Sequence, residues 1–248
     1  MTLAIIPARF ASTRFPGKPL ADMAGKTMIQ RVYERVALAT VIDDVVVATD
    51  DQRILDHVLG FGGKAVMTRE DHPSGTDRVA EVAAGFPNAK VIVNVQGDEP
   101  FIDPAQIAAV VAPFSDPEIE IATLAHRISD ERSLLSPNVV KVVRDENGRA
   151  LYFSRHAIPF LRNIPIGQWI LEGKHLQHLG LYAYRAEVLP KLTILPKGEL
   201  EQLESLEQLR WLAAGYSIHV GLTDLPAIGI DTPRDLSDAV ALLRSRNG

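Results

Sequence analysis

The 248-residue sequence contains no cysteine. This excludes disulfides, thiolate metal sites and a cysteine nucleophile, so any metal must be held by oxygen or imidazole ligands. No apolar run approaches the roughly 20 residues needed to cross a bilayer. The N-terminus also lacks a charged region before an apolar core, so neither a transmembrane span nor a signal peptide is expected, and the expected compartment is the cytoplasm. A basic excess is missing too: 26 Lys and Arg against 31 Asp and Glu leave a formal net charge of −5, which argues against the extended positive surface of a nucleic-acid binder. There is no GxSxG elbow, HExxH pair, internal repeat, low-complexity tract or clear flexible linker. Gly25-Lys26-Thr27 ends like a Walker phosphate loop, but Leu20 stands where the first glycine is required. His57, alone on a helix, reads as structural or solvated.

A hydrophobic content of 46% over this length suffices for a large core. Through the first half, strand-like runs alternate with helical patterns, the signature of an α/β fold with a parallel sheet flanked by helices. The apolar run Leu3-Ala4-Ile5-Ile6 opens it. Met28 to Ala39 places Ile29, Val32, Val36 and Ala39 on one helical face. Val45 to Thr49 is a second strand, with Asp50-Asp51 as acceptors to cap the next helix. Lys64 to Met67 and Val91 to Val95 are further strands, separated by a polar loop from Thr68 to Thr76 and a helix with Val79, Val82 and Ala83 inward. The second half predicts strands over Glu118 to His126, Val139 to Arg144 and His178 to Tyr184. It also predicts a turn at Asp145 to Gly148, an irregular segment from Ser154 to Lys174, and one helix over Glu199 to Ala213 with Leu203, Leu206, Leu209 and Leu212 at helical spacing. Ile218 to Leu222 and a helix opened by Thr232 and Pro233 close the chain.

In an open parallel sheet, ligands bind beyond the carboxyl ends of the strands. That rule selects Ala8 and Arg9 after the first strand, Thr49 and Asp50 after the second, Gln96 and Asp98 after the central strand, and Asp231 after the last apolar run. The loop after the first strand adds Arg14 and Lys18. Three cations among small residues, glycine and proline form a loop suited to a nucleoside triphosphate, and in an acidic protein such a local concentration is informative. Asp98 and Asp231 near them, with triphosphate oxygens, suit magnesium. The plainer alternative is that both carboxylates accept backbone hydrogen bonds, Asp231 as a cap behind Thr232.

Several blocks together resemble the 3-deoxy-manno-octulosonate cytidylyltransferases, also called CMP-Kdo synthetases. They are Ile5-Ile6-Pro7-Ala8-Arg9 with Ser12 to Leu20, Ala48-Thr49-Asp50, His72 to Arg78, Asn94 to Pro100, Tyr152 to Arg155, His178 to Tyr182, Leu206 to Arg210 and Gly229 to Pro233. The likeness spans essentially the whole chain, with Phe10, Ala11 and Phe15 where Tyr, Gly and Leu are usual. It implies a Rossmann-like nucleotidyltransferase fold with a mostly parallel central sheet. The expected organisation is a CTP-binding core over residues 1–125, an inserted sugar-binding and dimerisation lobe over about 126–215, and a return to the core over 216–248. The implied activity is magnesium-dependent transfer of CMP from CTP to the anomeric hydroxyl of Kdo by a homodimer with one or two magnesium ions, acting on neither nucleic acid nor membrane. By matching position, Arg9 and Lys18 bind the triphosphate with Arg14 in support, and Ala8, Ser74, Arg78 and Gln96 line the cytidine pocket. Asp98 and Asp231 hold magnesium. Arg155, His178, Tyr182, Glu207 and Gln208, with Gln96 reaching the sugar, orient the sugar acid, Arg155 meeting its carboxylate. The same resemblance leaves room for 8-amino-Kdo or a sialic acid as the sugar, or for a non-catalytic nucleotide binder.

Overall fold

The computed structural model describes residues 1–11, 15–226 and 228–247, in two compact units: Met1–Ala108 with Ala227–Gly248, and Ala109–Pro226. The first unit holds strands β1 (Thr2–Ala8), β2 (Asp44–Thr49), β3 (Ala65–Met67) and β4 (Val91–Asn94). Leu3, Ala4, Ile5 and Ile6 are fully buried. A strand covered on both faces belongs inside a parallel sheet, and β1 accordingly lies between β2 and β4, parallel to both, with β3 beyond β2.

Helices α1 (Met28–Ala37), α2 (Gln52–Gly60), α3 (Gly75–Ala84) and α4 (Pro104–Val111) follow these strands. Thr27 caps α1 by accepting from the Gln30 amide at 3.3 Å, and its hydroxyl meets His57 Nε2 at 2.7 Å. The Walker-like segment is thus a helix cap, and His57 is its partner. Ile29, Val32 and Val36 are buried, as are Ile54 and Val58 of α2 and Val79 and Val82 of α3. One expectation splits here: Asp51 caps α2, accepting from the Arg53 amide at 2.9 Å, whereas Asp50 takes no part in the cap and pairs instead with Arg78.

The second unit holds β5 (Ile121–Arg127), α5 (Glu131–Leu135), β6 (Lys141–Arg144), β7 (Ala150–Ser154), β8 (Leu176–Arg185), α6 (Leu189–Thr193), α7 (Glu199–Glu204), α8 (Gln208–Ala213) and β9 (Ile218–Leu222). Strand β5 runs antiparallel to β8 and parallel to β9, and β6 is antiparallel to β7 and β8. Because β5 and β9 pair with each other inside this unit, its bounds are wider than the lobe expected at about 126–215. The turn after β6 forms as predicted, with the Gly148 amide donating to Asp145 O at 3.1 Å and Gly148 at φ +84°.

The single helix predicted over Glu199 to Ala213 is instead two. Ser205, at φ +50°, breaks it, Leu203 is 73% exposed, and Leu206, Leu209 and Trp211 are buried. The break releases the carbonyls of Glu204 and Ser205 from a helical ladder, and both accept from Arg155, at 2.6 and 3.2 Å.

The last helix, α9 (Pro233–Asn247), returns to the first unit, where Ile230 and Ala239 form a core with Met23 and Met28. Among the described residues no helix is long and apolar enough to cross a membrane.

Candidate active site

The carboxyl ends of β1 and β4 open into a cleft of about 370 Å³ in the first unit. Pro7, Ala8 and Arg9 leave β1, and Gln96, Gly97 and Asp98 follow β4. These two strand ends lie so close that a Cβ on Gly97 would sit 2.9 Å from Pro7 O, which only a glycine avoids.

Lys18 enters the cleft from the loop after β1. The Gly17 amide closes that loop onto Phe10 O at 3.0 Å, with Gly17 at φ +72°. The Phe10 ring packs against Gly17, and the Arg53 guanidinium lies 3.4 Å from the ring centroid. Two hydrogen bonds to the Asp51 carboxylate, at 2.9 and 2.6 Å, hold that guanidinium in place. From this anchored base the Lys18 ammonium reaches Asp98 Oδ2 at 2.7 Å, Ile230 O at 2.9 Å and Asp231 Oδ1 at 3.4 Å. The Ile230 amide in turn donates to Asp98 O at 2.9 Å, tying the two acidic segments together.

Thr232 caps α9 in a reciprocal box with Asp235: the Asp235 amide donates to Thr232 Oγ1 at 3.2 Å, and Asp235 Oδ2 accepts from the amides of Asp231 and Thr232 at 3.0 and 2.8 Å. The Asp231 carboxylate meets Lys18. Asp98 and Asp231, 133 positions apart in sequence, converge on one positive charge.

That convergence is a fit for a hard divalent ion, whose ligands are carboxylate oxygens and water. No group of three or more candidate ligand side chains occurs among the described residues, so phosphate oxygens and water would complete the shell. Next to Asp98, Glu99 is buried; burial first, then the Asp98 charge, pushes its carboxyl up to about 8, so at pH 7 it is mostly protonated.

The start of α3 forms another wall. Ser74 caps the helix, accepting from the Asp77 amide at 3.2 Å. Arg78 lines the cleft although it is buried, and its guanidinium bonds Asp50 at 2.5 Å and the Thr68 hydroxyl. Ala8, Arg9, Lys18, Ser74, Arg78, Gln96, Asp98 and Asp231, all selected from sequence, thus line one cleft. Arg14 lies outside the described residues. Asp50 and Thr68 were missed as partners of Arg78, because nothing local in a sequence pairs a strand-end carboxylate with a helix 28 positions away.

The remaining candidates lie in the second unit. His178 and Tyr182 share a face of β8, with ring centroids 5.3 Å apart, and Phe153 packs edge-on to His178 at 5.0 Å. Arg155 donates to the carbonyls of Glu204, Pro137 and Ser205 at 2.6, 2.9 and 3.2 Å. These use three of the five N–H donors of a guanidinium and leave two. Glu207 accepts from Arg210 at 2.6 Å, and Gln208 is buried, against the solvent exposure that is the default for polar residues on a leucine-rich helix.

A cytidylyltransferase family model matches residues 3–218. The 3-deoxy-manno-octulosonate cytidylyltransferase of Bacteroides thetaiotaomicron is 54% identical over 249 residues, covering 99% of each chain. That of Syntrophotalea carbinolica is 54% identical over 245 residues, 97% of this chain and 98% of its own. A solved CMP:2-keto-3-deoxy-manno-octonic acid synthetase complexed with CTP superimposes with a TM-score of 0.92 at 43% identity, covering 99% of each chain.

Proposed function

Because the chain belongs to the 3-deoxy-manno-octulosonate cytidylyltransferase family, we propose that it transfers CMP from CTP to 3-deoxy-D-manno-octulosonate (Kdo), releasing pyrophosphate and giving CMP-Kdo. The observation that carries this reading is the meeting of Lys18 with Asp98 and Asp231 in a cleft at the strand ends, where a triphosphate and its counter-ions would both be accommodated.

In the reaction, the anomeric hydroxyl oxygen of the sugar bonds to the α-phosphorus of CTP. The bond from that phosphorus to the α,β-bridging oxygen breaks, pyrophosphate leaves with the electron pair, and the hydroxyl proton passes to water. Negative charge grows on the phosphoryl oxygens and the leaving group, so positioning and countercharge are the main needs. Arg9 and Lys18 supply the countercharge, with Arg14 in support. Ala8, Ser74, Arg78 and Gln96 form the cytidine pocket, its Arg78 wall stiffened by Asp50 and Thr68. Magnesium, as one or two ions on Asp98 and Asp231, would polarise the α-phosphate and acidify the attacking hydroxyl. His178, Tyr182, Glu207, Gln208 and Gln96 would orient the sugar, and the two remaining donors of Arg155 suit its carboxylate. The reading extends to a homodimer working in the cytoplasm and supplying lipopolysaccharide synthesis.

Pyrophosphate release from CTP, with Kdo, 8-amino-Kdo and N-acetylneuraminate compared, tests the proposal. Kdo is expected to give the highest kcat/KM. A preference for either other sugar reassigns the substrate, and CTP binding without release under any of the three identifies a non-catalytic nucleotide binder.

A further inference from the structure

In β5, Thr123 is a fully buried polar residue between apolar neighbours, Ile121, Ala122, Leu124 and Ala125, that are fully buried as well. Opposite it, β8 departs from regular pairing. Leu124 pairs with Leu179 but Thr123 with Tyr182, so Gly180 and Leu181 are extra residues in a bulge. Bulges re-aim groups beside functional sites. Here the Thr123 Oγ1 lies 3.1 Å from Leu179 O, 2.8 Å from Leu181 O and 3.1 Å from His178 Nε2.

A hydroxyl carries one proton, and a carbonyl oxygen can only accept. If the Thr123 proton went to Nε2, the hydroxyl oxygen would face two carbonyl oxygens at 2.8 and 3.1 Å with no proton between them. The proton therefore goes to a carbonyl, and His178 Nε2–H donates to Thr123 Oγ1. The imidazole is neutral in this arrangement, because burial pushes its pKa down to about 3. A neutral ring with its proton on Nε2 carries a bare lone pair on Nδ1.

We propose that Thr123 is a positioning residue that fixes His178 as the Nε2–H tautomer, so that Nδ1 accepts a hydrogen bond from a hydroxyl of the sugar. The proposal rests on the reading of His178 as a sugar contact. A site with a fixed acceptor favours a substrate bearing a donor at that place, because a buried polar group left unpaired is penalised.

Nitrogen-15 NMR of the histidine rings in the full-length protein without substrate tests the tautomer directly, and needs no variant. The proton is expected on Nε2 of His178; a proton on Nδ1 in the wild type overturns the proposal. Steady-state kinetics test the consequence. Thr123→Val is expected to mix the tautomers and raise the sugar KM about tenfold, equivalent to roughly 1.4 kcal/mol, with the CTP KM unchanged. Thr123→Ser, which keeps the hydroxyl, is expected to restore both the tautomer and the sugar KM. A sugar KM that stays normal in a folded Thr123→Val, or one that Thr123→Ser does not restore, also overturns it. If the wild type shows the expected tautomer but His178→Ala keeps a normal sugar KM, the sugar reading of His178 fails, and the proposal with it.

Discussion

The acidic cluster of the first unit and the buried polar groups of the second differ in their access to solvent, although the first unit also buries Arg78 and Glu99. In the first, charged side chains stand at the ends of buried strands, and the Lys18, Asp98 and Asp231 cluster remains in part open to solvent, with Asp231 51% exposed. In the second, polar groups lie inside the packing. Lys141 is fully buried, its ammonium satisfied by the carbonyls of Ser136, Val139 and Arg155 at 2.8, 2.7 and 2.6 Å. Arg210, buried as well, pairs with Glu207, and Thr123 bridges the bulge of β8. Solvent-open charges that contribute little to stability can be kept for a ligand, whereas buried ones must be satisfied by the fold before they can serve anything else. Substitutions at Asp98 and Asp231 should therefore change chemistry more than stability, and those at the buried polar groups should change both.

The largest expected effect is at the acidic pair. Asp98→Ala and Asp231→Ala should each lower kcat for pyrophosphate release by about 10²–10³-fold or more while leaving the melting temperature close to that of the wild type. Full activity in either variant would remove the proposed metal-binding role, and unfolding would break the contrast between the units.

Much of the first unit was legible because its rules are local. The cap at Asp51, the helical spacing of Ile29, Val32 and Val36, and the strand-end positions of Arg9, Gln96 and Asp98 all depend on near neighbours in the chain. Asp231 was legible as a candidate, but the box that Thr232 forms with Asp235 beside it was not. In the second unit the decisive features answer to distant partners. The break at Ser205 exposes carbonyls that Arg155 binds from 50 positions away, and the bulge at Gly180 and Leu181 answers to Thr123. No periodicity signals either, although Thr123 as a polar residue amid an apolar strand was a clue.

An intermediate effect probes the buried side. His178 has a folded pKa of about 3 against an ordinary 6.5. Between these values the unfolded chain binds a proton that the folded chain refuses. This contribution to stability is therefore fully present above pH 6.5 and declines as pH falls toward 3, by about 1.4 kcal/mol per pH unit. Urea denaturation at pH 7 and pH 5 should show His178→Asn losing about 2 kcal/mol less than the wild type on acidification. Equal losses would mean that His178 is not held neutral by burial.

The smallest effect concerns the base of the cation loop. Arg53→Ala removes the guanidinium over Phe10, an exposed contact whose loss is expected to loosen the loop only slightly. It should raise the CTP KM about 2- to 5-fold, with the sugar KM unchanged. An unaltered CTP KM would show that Gly17 and the loop closure alone position Lys18.

The most direct measurement is pyrophosphate release from CTP on addition of Kdo, followed through chelation by EDTA and replenishment with magnesium. The account predicts turnover that requires both substrates, stops with EDTA and resumes with magnesium. Turnover that persists in EDTA would contradict the assignment of Asp98 and Asp231 as magnesium ligands, and no release with Kdo at any magnesium concentration would contradict the proposed reaction itself.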